Sequence, residues 1–143
     1  MLNRAQQAYE ETTKATASSR ELEAAALFKA ARMLDNSRQQ WGTAEAPQIL
    51  NEALRHNLRL WTLFQAELAR PDHEMPVAMR VRLLRLCSFI DRRTFELLAR
   101  PEPEKVQILI NINRHIASGL AVTPGEPNAA AGRLTSPAVQ DES

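Results

Sequence analysis

The side chains able to do chemistry in this 143-residue chain are few and scattered. His56, His73 and His115 are the three histidines. No HExxH pair occurs, and no Glu-x-x-His repeats in the way a di-metal bundle requires. A metal site needs three or four convergent ligands, so no metal and no cofactor is expected. His56 follows Glu52 by four residues, the spacing of a helix-surface ion pair. His73 falls in a Pro-rich loop, and His115 near the polar edge of the last helix. Cys87 is the only cysteine, which excludes an internal disulfide framework and a cysteine zinc site. It lies on an apolar stripe, where a small buried hydrophobe is expected rather than a nucleophile. The four glycines are too dispersed for a phosphate loop, and no Gly-x-Ser-x-Gly elbow exists. The acidic residues fall at helix starts or outward faces. No enzyme is expected.

The bulk properties agree with that picture. Eighteen Lys and Arg oppose seventeen Asp and Glu, a net charge of +1. An overall nucleic-acid-binding surface is therefore not expected, although a local basic patch remains open. No stretch holds the roughly 18 consecutive apolar residues of a membrane span. No apolar run follows the first Arg, so no secretory signal is expected. Long apolar–polar alternation is missing, which argues against a sheet. A cytoplasmic, all-α, compact bundle of about five helices is expected, with a domain over 1–121 and a disordered tail over 122–143. The tail is rich in Pro, Gly and small residues.

Punctuation divides the domain into blocks. The first, over 3–17, is polar and Thr-rich, with Leu2, Ala5, Tyr9 and Thr13 as its inward residues. Ser18 and Glu21 have capping-box spacing and mark a second helix, closed by Trp41 and Gly42. Its alanines keep one side thin for a close neighbour. A third helix is expected over 47–69, opened by Pro47. A fourth follows over 77–99, and a fifth from Pro103 to a left-handed Gly119.

Two of these helices carry more apolar surface than a single buried face needs. Leu50, Leu54, Trp61, Phe64 and Leu68 form one stripe, widened by Ile49, Leu58, Leu60 and Leu63 to an arc of about 220°. Val106, Leu109, Ile116 and Leu120 form the other, widened by Ile108, Ile110 and Ile112 to about 200°. One asparagine sits near the middle of each, Asn57 and Asn113. A buried amide without partners costs on the order of 1–3 kcal/mol. Either these two pair and set helix register, or each bonds to nearby backbone or water.

The fourth helix differs. Met79, Leu83, Leu86, Cys87, Ile90, Leu97 and Leu98 face one way, and Arg82, Arg85, Arg92 and Arg93 the other. Phe89 lies four residues from both Arg85 and Arg93. An exposed ring among guanidinium groups suits base stacking with phosphate contacts, or a protein hot spot. Alternatively the helix bends near Asp91 and Phe89 turns inward.

Three segments together resemble the flagellar biosynthesis regulator FlaF family. Ser18-Ser19-Arg20-Glu21-Leu22-Glu23-Ala24, continuing through Phe28-Lys29-Ala30-Ala31-Arg32-Met33-Leu34, is similar to its second-helix motif. Residues 50–64, from Leu50-Asn51-Glu52-Ala53-Leu54 to Trp61-Thr62-Leu63-Phe64, resemble its central motif. Glu104-Lys105-Val106 through Ile112-Asn113-Arg114-His115-Ile116-Ala117-Ser118-Gly119-Leu120 resembles its closing motif. Ala8-Tyr9 followed by Thr13 also fits, so the likeness spans about residues 5–121 in order. The tail and the arginine-and-Phe89 face lie outside it.

The resemblance implies a small, non-enzymatic bacterial cytosolic protein that promotes flagellin production and flagellum assembly after transcription. It implies flagellin as a partner, bound as by a chaperone. It also implies the regulator FlbT, with flagellin messenger RNA touched only indirectly. No membrane and no small-molecule substrate are implied. Amphipathic flagellin ends would be covered by helix-in-groove recognition. Leu58, Leu63, Ile108 and Ile112 are the contacts expected on that basis, with ordinary core as the alternative for each. Two rival readings remain. One is an RNA-directed regulator using Arg85, Arg92 and Arg93, whose binding would weaken steeply with salt. The other is an adaptor that touches FlbT alone.

Overall fold

A computed structural model describes residues 4–121, except the side chains of 9, 10 and 12–18. Residues 122–143, expected as a tail, lie outside the described residues, as do the side chains of Tyr9 and Thr13.

Nothing between Arg4 and Gln39 interrupts a helix: no Pro or Gly occurs there, and Ala, Glu, Gln and Leu dominate. One continuous helix, α1, spans Arg4–Gln39. The start expected at Ser18 is therefore a mid-helix position. Ser and Thr are tolerated inside helices, where their hydroxyls bond locally instead of capping. Ser19 does so, donating its hydroxyl to the Glu23 carboxylate at 3.5 Å. The chain then reverses at Gly42, whose φ of 92° suits a residue without a side chain.

Pro47 opens α2 (Ala46–Leu68) within its first turn. Pro76 in extended conformation precedes α3 (Val77–Ala99). Pro103 begins α4 (Pro103–Leu120). Gly119 lies inside the last turn of α4 without positive φ, and Ala121 closes the helix instead. The all-helical bundle expected from the sequence is the fold found.

Helix α1 packs most extensively on α4, then on α2; α2 also holds α3, which only lightly touches α4. The core joins Leu27, Ala31 and Leu34 of α1 to Leu54 and Trp61 of α2. Cys87, Ile90 and Leu97 of α3 and Val106, Leu109 and Ile110 of α4 complete it. The thin alanine side is used, since Ala24, Ala30 and Ala31 are all buried. Polar contacts align α1 with α4. Arg38 donates to the Gln107 amide oxygen, and Arg114 lies 3.9 Å from the Asp35 carboxylate. Among the described side chains of α1, Ala24 is the first that is buried, and 4–8, 11 and 19–22 are exposed. Helix α1 is 36 residues long, about 54 Å at 1.5 Å per residue.

Candidate functional site

The centre of the bundle carries a chain of polar side chains across α2 and α4. The Trp61 indole N–H donates to Asn113 Oδ1 at 2.9 Å. Asn113 Nδ2 donates to Asn57 Oδ1 at 2.7 Å. All three side chains are buried. Trp61 and Asn57 stand four residues apart on one face of α2, so a single amide from α4 reaches both. Asn57 Nδ2 has no partner among the described residues. The link is thus complete at Asn113 and open at Asn57. Sequence reasoning overlooked the indole, although its one-turn spacing from Asn57 was the available signal. Trp61 also meets Phe64 edge-to-face at 5.6 Å.

The four apolar contact candidates occupy different settings. Leu63 is 67% exposed on the outer side of α2. Leu58 is half-buried; at five residues' separation it lies on the opposite flank of the helix from Leu63. Ile108 and Ile112 stand one turn apart on one edge of α4. Ile112 packs against the core, and Ile108 is half-buried. Leu63 is therefore the open member of the set.

On α3, Arg82, Arg85 and Arg92 are exposed. No ion pair among the described residues uses them. Arg93 is mostly covered; its guanidinium lies 5.0 Å from the Phe89 ring centroid and 3.6 Å from Glu96. Phe89 is half-buried and packs against the core. Its ring is not the open platform that one reading expected, because the arginine one turn on covers it. Sequence reasoning passed over a second feature of this helix. Val77 (65%), Val81 (40%) and Phe95 (60%) are exposed on its outer side.

The titratable groups behave as structural parts. Burial, with Asp91 nearby as a lesser cause, pushes the Cys87 thiol up to about 11. A thiol held protonated at neutral pH is a poor nucleophile. His56 makes no ion pair with Glu52, whose carboxylate accepts from Gln48 Nε2 at 3.3 Å instead. Burial first, then Lys29 and Arg59, hold His56 below its ordinary pKa. His73 Nδ1 accepts the Met75 backbone N–H at 3.1 Å, which shapes the loop before α3. Among the described residues no group of three or more His, Cys, Asp or Glu could hold a metal. No described helix is long and apolar enough to cross a membrane. A shallow depression on α4, lined by Asn111, Arg114, His115 and Ser118, is open to solvent.

What the geometry defines is a helical scaffold with an internal polar link and apolar side chains left on its outer faces. The model of one family, flagellar protein FlaF, matches residues 5–120, nearly all of the described chain. The chain belongs to the FlaF family, and that membership carries a flagellar role. No curated protein and no solved structure matches it.

Proposed function

We infer that this chain is a non-enzymatic regulator of flagellum biogenesis in the bacterial cytoplasm. It promotes flagellin synthesis and secretion after transcription by binding flagellin as a chaperone and acting with FlbT. The observation that carries the reading is the family match over residues 5–120. Apolar side chains on outer faces support it, Leu63 foremost at 67% exposure. A bundle that keeps such residues in water has surface to lend to an amphipathic helix. Ile108 and Ile112 on α4, and Leu58 on the other flank of α2, extend the candidate contacts.

The test mixes the purified protein with its cognate flagellin and follows size-exclusion chromatography with light scattering. A shared peak of defined mass supports the chaperone reading, and separate peaks refute it. Leu63→Ser serves as the interface variant. At so exposed a site its stability should stay within about 0.5 kcal/mol of the parent, while flagellin binding weakens. Equal loss of fold and binding would return Leu63 to a packing role. Ile112→Ser is a poorer probe, because Ile112 packs against the core.

A further inference from the structure

Helix α3 has two sides. One packs on α2 and lightly on α4 through Cys87, Ile90, Thr94 and Leu97. The other is open. Along it, Val77, Val81, Leu84, Ser88, Asp91 and Phe95 recur at alternating steps of four and three residues. That is the spacing of a coiled-coil seam. Val77, Val81, Ser88 and Phe95 of that seam are exposed, Leu84 is half-buried against the core, and Asp91 is half-buried. Arg85 and Arg92 each follow a seam position directly, where flanking charges select a partner in a coiled coil. Both are exposed and outside every ion pair among the described residues.

We propose that the outer face of α3 docks an acidic amphipathic helix of another protein, laid along the Val77–Phe95 seam with its carboxylates against Arg85 and Arg92. Three arguments select that occupant. A second copy is disfavoured, because antiparallel pairing of α3 about a two-fold axis sets Arg85 and Arg92 against the same arginines, and parallel pairing sets Arg85 against Arg80 and Arg92 against the buried Cys87. Nucleic acid makes poor use of the surface. Its interfaces are polar and wet, whereas three apolar side chains lie exposed here, and Arg93 covers the Phe89 ring. An acidic helix satisfies both features, its apolar stripe covering the seam and its flanking carboxylates neutralising the arginines. Ser88 and Asp91 add a polar step midway, which fixes the partner's register as a single polar seam residue does in coiled coils. This surface is separate from Leu63 on α2, and the inference does not depend on flagellin being the chaperone's client.

The test uses the full chain and labelled synthetic peptides of about four heptads. One carries Leu in its seam, Glu at the flanking positions and one central Asn to meet Ser88 and Asp91. A second replaces the Glu by Lys. The third probe is a single-stranded RNA oligonucleotide. Fluorescence anisotropy at about 0.15 M salt reads binding, and light scattering reads the mass of the free protein. The acidic peptide should bind the parent protein, and the basic one should not. Arg85→Glu/Arg92→Glu should weaken the acidic peptide at least about tenfold and admit the basic one. Phe95→Ser should weaken the acidic peptide with helicity unchanged. Failure of the acidic peptide to bind overturns the proposal, as does equal binding of both peptides. RNA displacing the acidic peptide, or a dimer dissolved by Phe95→Ser, would assign the face to those occupants instead.

Discussion

Replacing Asn113 by Leu tests the polar link at its centre. Asn113 holds two buried groups, the Trp61 indole N–H and Asn57 Oδ1. Leucine leaves both unpaired, at about 1–3 kcal/mol each, for a gross cost of about 2–6 kcal/mol. The larger apolar side chain returns about 1–2 kcal/mol. The expected net loss is therefore about 0–5 kcal/mol, centred near 2–3 kcal/mol. Asn57→Leu is a different experiment. It strands only Asn113 Nδ2, and it removes Asn57 Nδ2, which is already buried without a partner. Those terms nearly cancel, so Asn57→Leu should be close to neutral. The double variant strands the indole alone and should be no less stable than Asn113→Leu. Stranding one group fewer than Asn113→Leu, it should recover about 1–3 kcal/mol of that variant's loss, and with a neutral Asn57→Leu this recovery is the coupling energy. Urea unfolding followed by circular dichroism measures this through the midpoint at constant slope. Equal midpoints for the two single variants, with an additive double, would refute the reasoning. If both single variants raised stability without altering assembly, the link would have no part in setting helix register.

Further outcomes follow from the same geometry. Gly42→Ala should cost about 1–2 kcal/mol by thermal melt, because φ is 92° and nothing lies within 4 Å of the added carbon. Cys87 should react with iodoacetamide at pH 8 at least about a hundredfold slower in the native protein than in urea, since the thiol is buried and its pKa raised. Its raised pKa also makes its contribution to stability complete below pH 9 and lost as pH climbs towards about 11. His56 should titrate by NMR below 6.5 and move upward in Lys29→Gln, though only in part, because burial is the larger cause. Its depressed pKa means that the stability it contributes is present above pH 6.5 and lost as pH falls through the folded value.

The helices and the core stripes were legible in the chain because 3.6-residue periodicity is a local property. Pro47, Pro76 and Pro103 mark helix starts by constraining their own backbone and removing a donor. Leu50, Leu54, Trp61 and Leu68 share a face whatever lies opposite, and all four are buried. The two local signals that misled, Ser18 as a cap and Gly119 as a left-handed stop, depend on whether neighbouring turns continue, which propensity sets only weakly. The order of the motifs also carried the family, since each amphipathic segment alone is unspecific.

Tertiary structure decided which parts of the wide apolar arcs stay open. Leu58, Leu63, Ile108 and Ile112 are equivalent by composition, yet Leu63 is exposed and Ile112 packs against the core. The difference comes from which helix lies alongside, a contact between residues far apart in the chain. For the same reason His56 takes its electrostatic surroundings from Lys29 on α1, not only from its own helix. Arg93 covers Phe89, and Trp61 joins Asn113 across 52 positions. Helical period tells which side chains share a face; only packing tells which faces meet and which remain in water.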